Sequence, residues 1–293
     1  MRLRRTALLA PLLLLAATGC ASSDSEGEAA ATPTGSAPAS GTADACSTDD
    51  LPTKTAGKLT VGTDSPAYEP WFSDDDPSNG KGYESAVAYA VADRLGFAED
   101  DVRWVKVPFN NSYAPGEKAF DFDINQISIT PERQKVVDFS TPYYTATQAV
   151  VTLEKNADKA TSLADLKKLK LGAQTGTTSL TAVREIVKPD QEPLVFNDSN
   201  APKQALLNGQ VDAVVFDLPT AFYITAAEID GSVITGQFSG EGAAGDQFGL
   251  LFEKGNELRT CVDQALAEMT SDGTLAGLEK QWLSDVVDVP VLQ

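Results

Sequence analysis

The stretch DFDINQISITPERQKVVDFS, Asp121–Ser140, reads as one unit of an alternating fold: a strand end, a loop and a helix start. Thr130 can cap a helix whose first position is Pro131, which lacks an N–H and already holds a helical φ. Arg133 then falls in the first turn, beside backbone N–H groups that the helix start leaves unpaired. Ser128 and Thr130 add hydroxyls on the same approach. A five-donor guanidinium fork, free amides and hydroxyls together form a receptor for a carboxylate. Taken alone, the segment is better explained as an ordinary helix start with a solvated arginine.

Outward from this stretch the chain keeps alternating. Lys58–Thr63 reads as a strand and Tyr83–Leu95 as an amphipathic helix stopped by Gly96. Val102–Val107 and Phe120–Ile124 follow as strands, with the irregular NNSYAPG between them. Thr145–Leu153 is a longer extended run, after which the pattern restarts. Helices are expected near Ser162–Leu169, Ser179–Val187, Ala201–Asn208 and Pro219–Ala227. Strands at Lys170–Ala173, Pro193–Phe196, Ala213–Phe216 and Ser232–Gln237 interleave with them. Gln247–Phe252 is a last strand before the closing helices Glu257–Thr270 and Thr274–Leu283. Such alternation argues for α/β sheets with helices on both faces, and two similar blocks argue for two domains.

Ligands in open α/β folds collect at the carboxyl ends of strands. Asp64, Phe109, Ser128–Arg133 and Asp217 stand there, as does GAQTGTTS, Gly172–Ser179, whose amides could meet an anion. Each has a plain alternative: Asp64 a turn residue, Phe109 a core aromatic, Asp217 a helix cap, and the glycine-rich segment a capped turn.

Composition narrows the chemistry. Over the whole chain 42 acidic residues oppose 23 basic ones, a net charge of −19, which argues against a nucleic-acid partner. Histidine is absent, which removes Ser–His and Cys–His nucleophiles, imidazole metal sites and most hydrolase mechanisms. Three scattered cysteines do not form a zinc cluster. The acidic loop Asp74–Gly80 does not fit an EF-hand, since glycine falls one place late and Ser85 stands where the bidentate glutamate belongs. No metal or cofactor is expected, and no apolar run is long enough to span a bilayer.

At the N-terminus, Arg2, Arg4 and Arg5 precede the apolar run Ala7–Ala17 and the small residues Thr18-Gly19. This pattern predicts a secretory signal over residues 1–19. The residues after Arg4-Arg5 fit a twin-arginine signal poorly, so the general export route is expected. Ala17-Thr18-Gly19-Cys20 resembles the lipobox of bacterial lipoproteins, which implies that Cys20 is acylated and holds the protein at the outer face of the cell membrane. Residues 20–50 contain almost no large apolar side chain and are expected to form a tether. Cys46 and Cys261 remain; in an exported protein they point to a disulfide, with two unrelated buried thiols as the alternative.

From about Lys58 to Leu283 the chain resembles the family 3 extracellular solute-binding proteins, which deliver amino acids to ABC transporters. The resemblance lies in LTVGTD (Leu59–Asp64), GYESAVAYAVADRLG (Gly82–Gly96), SITPERQKVVDFSTPYY (Ser128–Tyr144), GAQTGTTS, ALLNGQVDAVVFD (Ala205–Asp217) and GLLFEKGNELRTCVDQAL (Gly249–Leu266). It implies a two-lobed periplasmic-binding-protein-like (type II) α/β fold with a hinge. Residues 51–145 would form lobe 1, 146–247 lobe 2, and 248–293 would rejoin lobe 1. It further implies that Arg133 grips a ligand's α-carboxylate with help from Ser128 and Thr178, and Thr177 is expected among the ligand contacts. Asp217 would take the α-ammonium, and Asp64, Tyr68 and Phe109 would line the cleft. Many relatives carry two small residues where Asn125 and Gln126 stand, which marks these two as ligand-binding positions particular to this chain. A monomer working with an ABC permease is expected. Two other functions suit the same scaffold: a dehydratase of the cyclohexadienyl type, with Glu84, Glu117 or Glu241 as its acid, and a ligand sensor or partner-binding module.

Overall fold

The computed structural model describes residues 46–240, 245–283 and 289–293. The expected signal at 1–19, the Cys20 anchor, the tether as far as residue 45, and Glu241 lie outside the described residues.

In lobe 1 the chain runs β1 (Leu59–Thr63), α1 (Tyr83–Arg94), β2 (Val102–Lys106), α2 (Phe109–Ser112), β3 (Phe122–Asp123), α3 (Pro131–Gln134) and β4 (Val137–Ala146). Lobe 2 contains β5 (Gln148–Leu153), α4 (Leu163–Leu166), β6 (Leu171–Gln174), α5 (Thr178–Ala182), β7 (Leu194–Phe196), α6 (Asn200–Leu207), β8 (Ala213–Asp217), α7 (Leu218–Tyr223) and β9 (Ser232–Phe238). The chain then returns through β10 (Asp246–Glu253), α8 (Leu258–Ser271) and α9 (Thr274–Trp282). Two mixed five-stranded sheets result, ordered β2-β1-β3-β10-β4 and β7-β6-β8-β5-β9. In the first, β1 is parallel to both neighbours and β10 antiparallel to β3 and β4. In the second, β6 is parallel to β7 and β8, while β5 is antiparallel to β8 and β9.

The extended run expected over Thr145–Leu153 breaks at Thr147, where the chain leaves the β10 ladder and joins β8 and β9. β4 itself was not read from the sequence. It carries Pro142, which argues against a central strand; here β4 is an edge strand, and the β10 register shifts beside that proline. Period-two alternation splits the lobe 2 core across its sheet. Val150, Ala213 and Val215 face one cluster with Leu171 and Val183, while Ala149, Val151, Val214 and Phe216 face another with Leu206. In lobe 1, β1 is buried along its whole length, and Val61 packs with Val87, Val91, Phe122, Phe252 and Val262.

Two boundaries differ from expectation. The tether does not reach residue 50: Cys46 is bonded to Cys261 on α8, Thr48–Asp50 forms a 3-10 turn, and Thr48 Oγ1 donates to Leu95 O at 2.8 Å. Residues 289–293, expected with lobe 1, pack on lobe 2. There Leu292 joins the cluster containing Val150 and Val183, and backbone bonds link Gln237 to Pro290 and Leu292 at 2.8 Å each. The cause is local: Gly236 leaves room on β9 for the Leu292 side chain, which a Cβ there would meet at 2.4 Å.

The disulfide joins residues separated by 215 positions. Replacing both cysteines by serine is expected to lower unfolding free energy by about 3 kcal/mol, measured by urea denaturation under non-reducing conditions. An unchanged midpoint would remove it from the stabilising contacts.

Candidate functional site

The parallel strands of both sheets end toward one cleft. From lobe 1, Asp64 follows β1, Phe109 follows β2, and Asn125, Gln126 and Ser128 follow β3. From lobe 2, Gln174 ends β6, Thr177–Ser179 open α5, Ser199 precedes α6, and Asp217 closes β8. Tyr68, Trp71 and Thr220 complete the lining. The cavity between them measures about 60 Å3, and the two lobes meet around it.

Contacts across the cleft hold this arrangement. Ser128 Oγ lies 3.0 Å from Thr178 Oγ1. Trp71 Nε1 donates to Thr220 Oγ1 at 2.8 Å, and the Lys203 ammonium lies 5.4 Å from the Tyr68 ring centre. Arg133 is buried and bridges the lobes: Nη1 donates to Ser128 O at 2.7 Å and Nη2 to Gly176 O at 2.9 Å. Its guanidinium lies 4.6 Å from the Tyr113 ring centre and 5.6 Å from that of Phe109. Thr130 Oγ1 accepts from the Arg133 N–H at 3.2 Å, the cap that its position before Pro131 predicts.

Of the ten residues singled out from the sequence as contacts, nine line this cavity, all except Arg133. Arg133 sits one layer behind, in an adjoining cleft with Tyr113, Thr130 and Gly176; Thr177 and Thr178 line both. Gln126 lines the cavity and is tied to Glu84 beneath it. Its backbone N–H donates to Glu84 Oε1 at 2.7 Å, and its carboxamide also donates to Glu84. This tie holds Gln126 at φ 47°, a left-handed conformation that a non-glycine residue keeps only when its surroundings demand it. The Gln126 side chain thus supports the loop through one of its two amide donors. Asn125 Nδ2, buried and without a hydrogen-bond partner, is the free amide of the pair.

The electrostatics are strongly acidic. Burial, and then the neighbouring Asp246, push the Asp217 carboxyl up to about 7, against a donation from Gln148 Nε2 at 2.8 Å. Burial pushes Glu84 to about 7 despite donors from Tyr143 and Gln126. Both Asp123 oxygens lack hydrogen-bond partners, and burial raises that carboxyl well above its usual range. Burial and the negative charges of Asp198 and Asp64 push Tyr68 up to about 12. Asp64 instead anchors the loops, accepting from the backbone N–H of Ser65 at 2.7 Å and of Phe109 at 3.1 Å.

Sequence reasoning passed over Trp71, Thr220, Gln148 and Asp246. Trp71 stands in an irregular stretch after Pro70 and Thr220 in an expected helix, where neither residue type signals a contact. Gln148 had one available signal, a lone amide inside the apolar run TATQAVVTL. Of the acids considered for a dehydratase, Glu84 lies beneath Gln126 and Glu117 is exposed; neither lines the cleft.

The family model of the bacterial extracellular solute-binding proteins, family 3, matches residues 59–285. The L-cystine-binding protein of Escherichia coli (strain K12) is 31% identical over 231 residues, covering 78% of this chain and 84% of that protein. Among solved structures, an ancestral arginine-binding protein bound to arginine is 35% identical with a TM-score of 0.66, covering 77% of this chain and 98% of the other. An ancestral amino acid-binding protein described as a precursor of cyclohexadienyl dehydratase is 34% identical with the same TM-score, covering 78% and 96%.

Proposed function

We propose that this chain, which belongs to the family 3 bacterial extracellular solute-binding proteins, captures an amino acid outside the cytoplasm and delivers it to an ABC importer. The observation that carries the reading is the cleft itself, with Asp217 on one lobe and Ser128, backed by Arg133, on the other. The ammonium of an amino acid binds Asp217. Its carboxylate binds Ser128, Thr177 and Thr178 and draws the Arg133 fork from the two carbonyls it holds. A ligand that engages both lobes stabilises the closed form over the open one, which is how binding drives closure.

The side chain lies between Tyr68 and Phe109, facing Asp64 and the unpaired Asn125 amide. The relatives that bind L-cystine and arginine take ligands with a second cationic group, and Asp64 is placed to meet one. A thermal-shift screen of the common amino acids and L-cystine, after stripping bound solute by unfolding and refolding, tests this. Arginine, lysine or cystine should raise the melting temperature, by about 2.7 kcal/mol of stabilisation at 100 times Kd. Stabilisation by uncharged aliphatic amino acids alone would sink the cationic assignment.

Cys20 carries the lipid anchor, and the protein works as a monomer beside its permease. Cys20→Ala should release it into the medium and abolish labelling by a fatty-acid probe; retention at the membrane would refute the anchor. The Trp71–Thr220 bond forms between lobes, so Trp71→Phe removes one donor from the closed state alone. Affinity for the bound amino acid is expected to fall about 5-fold by calorimetry.

A further inference from the structure

Two carboxylates meet one carboxamide where the chain crosses between lobes. Gln148 is the first residue of β5, one place past Thr147, and Asp246 is the first residue of β10. Gln148 is fully buried, and its Nε2 donates to Asp217 Oδ1 at 2.8 Å and to Asp246 Oδ2 at 2.7 Å. A carboxamide has two N–H donors, so both are used. Gln148 stands directly opposite Asp217 in the antiparallel β5–β8 pair, which places both side chains on one face of the sheet. Asp246 stands opposite Ala146, on the strand pair that leads into lobe 1. One amide therefore ties the carboxylate at the end of a lobe 2 strand to the strand that carries the chain back.

We propose that Gln148, anchored by Asp246, is a positioning residue that aims Asp217 at the ligand's ammonium and couples that aim to the hinge. This rests on the amino-acid reading of Asp217 given above. With Oδ1 held by Gln148, the carboxylate cannot turn freely, and Oδ2 is left to accept from the ligand. Asp246 opens the strand that returns to lobe 1, so the three-residue chain reaches from the end of β8 to the crossing between the lobes. The lone amide in an apolar strand is thereby accounted for: an apolar residue would take the side-chain donor from Asp217 and leave Asp246 with Thr178 alone.

Charge provides a readout that packing alone would not move. Asp246 from β10 and Glu84 from α1 raise Asp217, while Gln148 from β5 and Arg133 from α3 lower it. Tyr144 of β4 also faces it. Asp246 is itself raised by burial, against donations from Gln148 and Thr178.

The test follows the Asp217 carboxyl by 13C NMR titration of the ligand-free protein, assigned by its loss in Asp217→Asn. Thermal stabilisation by a mixture of the common amino acids and L-cystine is measured alongside. Asp246→Asn removes the neighbouring charge, and the Asp217 midpoint is expected to fall by about one pH unit. Gln148→Met removes both donors at similar volume; the midpoint should rise, and affinity at pH 7.5 should fall at least about 10-fold. If Gln148→Met does not fold, Asp246→Asn decides alone. Midpoints unmoved in the folded variants overturn the positioning role, even where Asp217→Asn abolishes stabilisation by the mixture. Stabilisation of Asp217→Asn equal to that of the native protein, or none in the native protein, overturns the ammonium assignment instead, and the aiming of Asp217 falls with it.

Discussion

Arg133→Ala is expected to weaken amino-acid binding by roughly 100-fold to 10,000-fold. The guanidinium is buried, and burial already lowers its pKa, so its charge is retained against a desolvation cost that only good partners offset. Two hydrogen bonds to a carboxylate at about 1.5–3 kcal/mol each set the range, at 1.4 kcal/mol per tenfold. The same substitution removes the bond to Gly176 O that joins the lobes, and the bond to Ser128 O within lobe 1. Arg133→Lys separates the two contributions. It retains charge but loses the planar fork, and should recover only part of the affinity. Calorimetry reads both variants, and native affinity in Arg133→Ala would take the residue out of the site.

The second large effect is on stability against pH. Glu84 and Asp217 are raised to about 7, from the usual 4.5 and 3.8, with burial the first cause in each. Below about pH 4 such carboxyls are protonated in the folded and unfolded chain alike and contribute nothing. Between there and pH 7 the folded chain holds protons that the unfolded chain has released, so stability falls as pH rises; above 7 the loss is complete. Glu84 corresponds to ~3 kcal/mol and Asp217 to ~4 kcal/mol, and the two are not additive because Glu84 also raises Asp217. Carboxyls lowered by their partners, such as Asp138 beside Lys254, act in the opposite sense but only below about pH 4. The ligand-free protein should therefore melt about 10 °C higher at pH 5 than at pH 8. Glu84→Gln keeps the size of the side chain and removes its charge, so it should flatten that slope. Calorimetric scans showing a constant or rising melting temperature from pH 5 to pH 8 would contradict the acidic account of the cleft.

These same carboxyls set stability against binding. An ammonium needs Asp217 ionised, so affinity should fall below about pH 7 while the ligand-free protein becomes more stable.

What the sequence by itself determined lies within a few residues along the chain. Thr130 caps the turn that starts at Pro131, because a hydroxyl three residues before Arg133 meets its N–H whatever surrounds it. The alternation through AVVFD sorts Val214 and Phe216 from Ala213 and Val215 onto opposite faces, because pleating has a period of two. Strand ends therefore marked Asp64, Phe109 and Asp217 before any contact was visible. Tertiary structure alone decided which buried polar groups became partners. Glu84 holds Gln126 across 42 positions, Gln148 reaches Asp246 across 98, and Trp71 meets Thr220 across 149. A buried donor takes whichever acceptor the packed lobes bring within reach, and the cost of leaving it unpaired fixes that choice only after folding. Arg133 shows both levels: its place in the first turn is local, and its role as a bridge between Ser128 and Gly176 exists only because a second lobe closes over it.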